Sequence, residues 1–218
     1  MALKKFKLVV FDMDGTLIKQ RSSWARLNEY FGTAEGGEIS LKKYSEGKIT
    51  YTEFMHRDIS AWPKNLNIND IKKILSDFEF LPGVKQMIAE LKEMNLVTAI
   101  ISSGISCLAN IVSEELNMDY CYANDLDVDE NGFLTGIGIE NVIPSKKGDA
   151  LKKLVNKLNI DSSSTIAVGD TRYDLSMITY AEIGVSVGND EVLMANTDFH
   201  LNNLNVLPLL IRKLDFDA

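Results

Sequence analysis

The sequence predicts an α/β fold: a mostly parallel sheet flanked by helices, with a small helical insert and one β-hairpin. Three observations predict it. Short apolar runs, from Phe6 to Phe11 and from Leu96 to Ile101 among others, have the texture of strands buried on both faces of a parallel sheet. Stretches of helical periodicity separate these runs, which implies βαβ units with right-handed crossovers. The segment from about Ile18 to Phe80 breaks the alternation and carries helical spacing alone.

The elements follow in order. Phe6 to Phe11 is the first strand, and Asp12, Met13, Asp14, Gly15 and Thr16 close it. In the insert, Trp24, Leu27, Tyr30 and Phe31 mark one helix and Ile39, Leu41 and Tyr44 a second. Thr50 to Ile59, with Tyr51, Phe54 and Met55, marks a third, and Ile68 to Phe78 a fourth, opened by an Asn/Asp start. Leu81-Pro82-Gly83 is the re-entry point. Val84, Met87, Ile88 and Leu91 then have the i, i+3, i+4, i+7 spacing of an amphipathic helix. Leu96 to Ile101 is a strand, Ser102 to Leu116 a turn and helix, and Tyr120 to Ala123 a short strand. Asp125 to Ile139 alternates around Asn131-Gly132, a strong hairpin signal. Lys146 to Leu158 reads as a helix, Thr165 to Val168 as a strand, Asp174 to Ala181 as a helix and Ile183 to Val187 as a strand. Asp198 to Leu201 is a last short strand and Val206 to Leu214 a terminal helix. The expected division is a core of residues 1–17 and 81–218 and a helical unit of residues 18–80.

Composition narrows the function. The chain has 218 residues, enough for one sizeable domain with a smaller insert, and ordinary apolar and charged fractions. Its longest apolar runs are far too short to span a bilayer, and no basic–apolar–small pattern opens it. The net charge of −8 argues against nucleic acid as a partner. An anionic substrate therefore needs a locally positive site, built from a metal, a lysine and backbone N–H groups. Cys107 and Cys121 read as small buried hydrophobes in a reducing cytoplasm.

The chemistry concentrates at strand ends, where ligands bind on such sheets. Asp12 and Asp14 lie two apart, but the turn at Gly15 lets both point into one pocket. Two crowded carboxylates call for a bound cation or a shared proton. Ser102, Ser103 and Gly104 follow a second strand. The Ser102 hydroxyl, with the N–H of Ser103 or Gly104, suits a phosphate oxygen or an ordinary helix cap. Lys147-Gly148 opens a helix, with Lys146 as competitor for the charged role. Asp170 and Asp174 follow another strand. Hard oxygen ligands suit Mg²⁺, while Asp174 equally fits a helix N-cap.

These four motifs, in this order, resemble those of the haloacid dehalogenase (HAD) superfamily. The resemblance implies a Rossmann-like HAD core with a small helical C1-type cap. It implies that Asp12 is a nucleophile forming an aspartyl-phosphate, and that Asp14 is a general acid and base. Asp12, the backbone carbonyl of Asp14 and Asp170 would hold Mg²⁺. Thr16 would stand behind Asp14, Ser102 would bind phosphate, and Lys147 would neutralise phosphate and aspartate. Asp174 would act beside the metal rather than on it. A second aspartate favours phosphate chemistry over dehalogenation.

The insert's position, with Asp129-Glu-Asn-Gly-Phe-Leu-Thr135-Gly and Asp174-Leu-Ser-Met177, resembles the phosphoserine phosphatase branch. Three departures fall on specificity. Arg21 stands where that branch uses a glutamate for the serine amine. Asp58, with Arg57 beside it, stands where it uses an arginine for the carboxylate. Tyr173 replaces an asparagine of the fourth motif. Swapping both charges is expected to weaken a preference for a zwitterion. The implied activity is hydrolysis of a small phosphorylated metabolite. A phosphotransferase or phosphomutase is the alternative, and a non-catalytic binding protein on a HAD scaffold ranks lowest.

Overall fold

A computed structural model describes residues 5–216. Its sheet is built on β1 (Leu8–Phe11), whose four residues are fully buried. Strands β2 (Val97–Ile105) and β5 (Thr165–Gly169) pair with it on either side, both parallel. Beyond β2 lie β3 (Tyr120–Val128) and the antiparallel β4 (Leu134–Ile139); beyond β5 lie β6 (Ile183–Ser186) and β7 (Phe199–His200). The order is β4-β3-β2-β1-β5-β6-β7, parallel except for β4.

Alternation along β1 explains its continuous apolar run. Leu8 and Val10 pack into one core with Ala99, Ile101, Leu151 and Leu154. Val9 and Phe11 pack into the opposite core with Ile100, Val84, Met87 and Leu108. Each face thus buries its own set of side chains, and neither needs polar positions.

Four helices separate β1 from the rest of the sheet: α1 (Ser23–Tyr30), α2 (Ala34–Ser45), α3 (Tyr51–Ala61) and α4 (Ile68–Leu75). Ser22 caps α1 through its hydroxyl, and Thr50 and Glu53 form a reciprocal capping box on α3. The chain enters and leaves this insert on paired backbone. Lys19 N–H donates to the Glu79 carbonyl and Leu81 N–H to the Leu17 carbonyl. Aromatic packing holds the insert together. Trp24 stacks on Trp62 at 5.9 Å between centroids and meets Phe54 edge-on at 5.8 Å. Ile39 and Leu41, which mark the second of these helices in the sequence, are exposed.

The remaining helices are α5 (Val84–Glu93), α6 (Ser106–Glu115), α7 (Lys147–Leu158), α8 (Leu175–Ile178), α9 (Glu191–Met194) and α10 (Leu207–Phe216). Three differences from the sequence reading bear on the site. Strand β2 continues past Ile101 to Ile105, with its register shifting between those residues, so Ser102 to Gly104 belong to the strand end. Strand β3 fuses the expected short strand with the first arm of the hairpin, whose turn uses Gly132 at φ +81°. The expected helix at Asp174–Ala181 shortens at both ends to α8, and a 3-10 turn at Arg172–Asp174 precedes it. Helix α9, capped by Asp190, is an element that periodicity did not reveal. Cys107 and Cys121 are both free thiols; Cys107 is buried and Cys121 half-buried. No helix among the described residues is long and apolar enough to cross a membrane.

Candidate active site

The carboxyl ends of β1, β2 and β5 meet the start of α7, and all four motifs converge there. The β1 loop turns at Gly15, whose φ of +83° belongs to the left-handed region glycine occupies freely. Space also demands glycine, since a Cβ there would lie 2.2 Å from Oδ2 of Asp170. The turn thus closes only without a side chain, and it presses the first loop against the fourth.

Lys147 is the electrostatic centre. Its Nζ donates to Oδ1 of Asp12 at 2.6 Å and to Oδ1 of Asp174 at 2.6 Å, with all three side chains buried. Burial alone would lower the lysine's pKa, but the two carboxylates outweigh it and hold the ammonium charged. Lys146, the competitor, ends the preceding 3-10 turn and is exposed. Asp174 is fully committed. Its Oδ2 accepts the backbone N–H groups of Asp170 and Thr171, both at 3.1 Å, while its Oδ1 faces Lys147. The Asp174 side chain does not cap α8; it bonds back into the loop and faces Lys147.

Asp14 points into the same pocket. Its Oδ2 accepts from the backbone N–H of Ser23 at 3.3 Å and the Ser23 hydroxyl at 3.4 Å, and its Oδ1 is buried without a partner. Burial, with the charge of Asp12 beside it, pushes Asp14 up to about 7. Burial also raises Asp12 to about 6, although Lys147 opposes the shift, and raises Asp170 to about 8 with the charges of Asp12 and Asp174 adding to it. The Thr16 hydroxyl donates to Oδ1 of Asp170 at 3.3 Å, tying the first loop to the fourth.

Oxygens of Asp12, Asp170 and Asp174 lie within 4.8 Å of one another. Four carboxylates here face one buried lysine, and one oxygen of Asp14 has no partner. An all-oxygen, electron-rich donor set of this kind fits a hard divalent cation. With both oxygens of Asp174 taken, Asp12 and Asp170 are the side chains with capacity to ligate.

The second motif is organised by its backbone. The Ser102 hydroxyl accepts from Gly104 N–H at 2.9 Å, a bond within the end of β2 and not a cap of α6, whose N-cap residue is Ile105. The Ser103 carbonyl accepts from Trp24 Nε1 at 3.2 Å, from Asn124 Nδ2 at 2.8 Å and from the Tyr51 hydroxyl. Two of those donors come from the insert. Gly104 has no room for a Cβ, which would meet Ser23 Oγ at 2.5 Å and Asp14 Oδ2 at 2.8 Å.

These groups line a cavity of about 260 Å³ between the sheet's edge and the insert. Asp12, Asp14, Ser102, Ser103, Gly104, Lys147 and Asp170 form its floor, and Trp24, Tyr44, Tyr51 and Phe54 its aromatic wall. Arg21 and Asp58 both line it. Arg57 does not; it is exposed, because the inward face of α3 carries Tyr51, Phe54, Met55, Asp58 and Ile59. Asp58 is 2% exposed, and burial pushes it up to about 6 against a hydrogen bond from Asn28.

A family model for haloacid dehalogenase-like hydrolases matches residues 6–182. The chain belongs to that family. It is 31% identical to the phosphoserine phosphatase of Idiomarina loihiensis over 207 residues, covering 93% of this chain and 91% of that one. It is 29% identical to the phosphoserine phosphatase of Methanocaldococcus jannaschii, covering 95% and 97% of the two chains. A solved structure described as a phospho-aspartyl intermediate analogue of phosphoserine phosphatase superposes with a TM-score of 0.79. Identity there is 29%, and 95% of this chain and 98% of that one are covered.

In this HAD-like hydrolase the structure adds three residues the sequence reading lacked. Ser23 holds Asp14, Asn124 holds the Ser103 carbonyl, and Asn28 holds Asp58. Asn28 had a usable signal, since Trp24, Leu27 and Phe31 define an inward stripe that includes position 28. Ser23 and Asn124 had none, because their partners, 9 and 21 residues away, share no helix or strand period with them.

Proposed function

We propose that this HAD-like hydrolase is a Mg²⁺-dependent phosphomonoester phosphatase that works through an aspartyl-phosphate on Asp12. One observation carries the reading: Asp12, held by Lys147 at 2.6 Å, opens into the same cavity as an Asp14 whose second oxygen has no partner. The phosphatase relatives support it.

In the first half-reaction a carboxylate oxygen of Asp12 attacks phosphorus as the bond to the leaving alcohol breaks. Asp14 donates its proton to that alcohol. In the second, a water attacks phosphorus, Asp14 takes a proton from it, and the Asp12 carboxylate is released. A pKa near 7 suits Asp14 to both transfers. Covalent catalysis thereby divides one difficult displacement into two. Lys147 fixes Asp12 and sets a positive charge beside the phosphoryl oxygens. Ser102 and the N–H groups around Ser103 and Gly104 receive the phosphate. Mg²⁺, held by Asp12, the Asp14 carbonyl and Asp170, would neutralise phosphoryl charge. Asp174 keeps Lys147 and the fourth loop in place.

Residues 18–80 serve as a cap over a core of residues 1–17 and 81–218, excluding bulk water while the phospho-enzyme exists. Arg21 and Asp58 set the leaving-group specificity and disfavour phosphoserine; Arg57 faces away and takes no part.

Phosphate release from p-nitrophenyl phosphate, with Mg²⁺ and then with EDTA, tests the proposal. Release with Mg²⁺ that EDTA stops, and that Asp12→Asn removes, is the expected result. An unaffected Asp12→Asn variant would overturn it. Adding an acceptor alcohol and measuring its phosphorylation separates hydrolysis from transfer.

A further inference from the structure

The cavity that holds Asp12 and Asp14 contains another carboxylate, Asp58, which takes no part in the phosphoryl and proton transfers. Asp58 projects from the inward face of α3, is 2% exposed and lines the cavity. Oδ2 accepts from Asn28 Nδ2 at 2.6 Å, and Oδ1 is buried with no partner.

Its orientation is imposed from behind. The Asn28 side-chain oxygen accepts from Trp62 Nε1 at 2.7 Å and from the Thr33 hydroxyl at 3.0 Å. The amide nitrogen must then face Asp58, so the acid cannot turn to satisfy its second oxygen without breaking this relay. Among the described residues no basic side chain forms an ion pair with Asp58; burial and Asn28 are the influences on it. An uncompensated buried carboxylate is costly. A cavity wall with only packing to do would use an apolar residue here.

The surroundings identify the missing partner. Trp24, Tyr51 and Phe54 line the same cavity, with Tyr51 and Phe54 stacked at 5.4 Å and Trp24 edge-on to Phe54. Aromatic faces beside a fixed carboxylate are the chemistry that binds an ammonium group. The charges on this side of the cavity agree. Asp58, Glu29 and Glu38 line it, against Arg21; of these four, Asp58 alone is buried and the other three are exposed.

We propose that Asp58 is the receptor for an ammonium group on the leaving alcohol, and that the substrates are phosphate monoesters of amino alcohols. The inference rests on the phosphatase reading above. A carboxylate added to the substrate, as in phosphoserine, would enter a wall of three acids and one base and would be disfavoured.

The test measures phosphate release by the full chain with Mg²⁺ from four compounds: O-phosphoethanolamine, its neutral counterpart 2-hydroxyethyl phosphate, O-phosphoserine and p-nitrophenyl phosphate. The expected kcat/KM for O-phosphoethanolamine exceeds that for 2-hydroxyethyl phosphate by about tenfold or more, the effect of one charge-assisted hydrogen bond. It also exceeds that for O-phosphoserine. Asp58→Asn, which keeps the side chain's shape, should bring the amine and its hydroxyl analogue to parity. Equal kcat/KM for that pair in the wild type would overturn the proposal, as would a preference for O-phosphoserine or an unchanged ratio in Asp58→Asn. The wild-type comparison decides the matter alone if the variant does not fold. Turnover of p-nitrophenyl phosphate in those cases leaves the phosphatase reading standing. Release from none of the four overturns both.

Discussion

Lys147 Nζ lies 2.6 Å from Oδ1 of Asp12, joining two buried charges 135 residues apart in the chain. The same nitrogen holds Asp174 at 2.6 Å, so one lysine neutralises two carboxylates in a site with four. Removing one partner of a buried ion pair leaves an uncompensated charge, at about 3–5 kcal/mol. Lys147→Met, which keeps most of the volume, is expected to lose stability of that order in denaturant unfolding without divalent ions. A smaller loss would mean that water reaches the pair.

Asp12 and Asp14 should fail in different ways. Asp12→Asn is expected to reduce turnover to background with the fold intact by circular dichroism. Asp14→Asn should lose about 10²–10⁴-fold in kcat, the usual contribution of a positioned acid or base. The loss should grow as the leaving alcohol becomes a poorer leaving group, because proton donation then matters more. A uniform loss across a series of phenyl and alkyl phosphates would contradict the acid role.

Metal binding and proton binding compete for the carboxylate oxygens of Asp12 and Asp170. Burial raises Asp12 to about 6, Asp14 to about 7 and Asp170 to about 8, all above the ordinary carboxylate value of 3.8. Groups raised in this way favour the protonated fold. Their ionisation therefore destabilises the metal-free protein as pH climbs from 3.8 through these values. A divalent ion needs Asp12 and Asp170 ionised and reverses their part of that loss. The increase in Tm on adding Mg²⁺ should be small near pH 6 and large near pH 8, with protons released on binding in calorimetry. A pH-independent increase would contradict this.

The parts of the site that sit on one strand end were legible from residues alone. Asp12, Asp14 and Gly15 fall at the end of an apolar run, and an apolar run has few other structural meanings. Lys147 is preferred to Lys146 through the resemblance, which places the lysine directly before a glycine; the structure adds that a Cβ at Gly148 would lie 2.3 Å from the Ser176 carbonyl. The choice between Arg57 and Asp58 turned on helix phase. Tyr51, Phe54, Met55 and Ile59 define a stripe that admits position 58 and excludes 57, a signal that gapless matching to another protein ignores. Contacts made across segments, such as Thr16 to Asp170 or Asn124 to Ser103, leave no mark in local periodicity. The short α9 and the 3-10 turn before α8 escaped because three or four residues show no period.

The Ser103 carbonyl joins the proposed cap to the core. Trp24 and Tyr51 donate to it from the insert and Asn124 from the core. Tyr51→Phe removes one donor without changing ring packing, at a cost of about 0.5–1.5 kcal/mol if the bond has ordinary strength. If the insert must close for turnover, KM should rise or kcat fall by the corresponding factor of about 2–10, with Tm nearly unchanged. A drop in Tm with kinetics intact would instead assign the contact to folding alone.

Asp58 should reveal itself in stability as well as in substrate choice. Its carboxyl is raised to about 6 by burial, against 3.8 in the unfolded chain. Below 3.8 the group is protonated in both states and contributes no pH dependence. Between 3.8 and 6 the folded state binds more protons, so stability falls as pH rises. Above 6 the full penalty remains. An asparagine at this position carries no charge at any pH, so Asp58→Asn should be more stable than the wild type near neutrality and lose that advantage near pH 4. The site carboxylates titrate in both proteins and cancel in the difference. Thermal melts at the two pH values measure it, and an ammonium ligand should narrow the gap at neutrality by supplying the wild type with its missing counter-charge. A difference that does not vary with pH would mean that the carboxylate is already compensated, and the case for an ammonium there would fall with it.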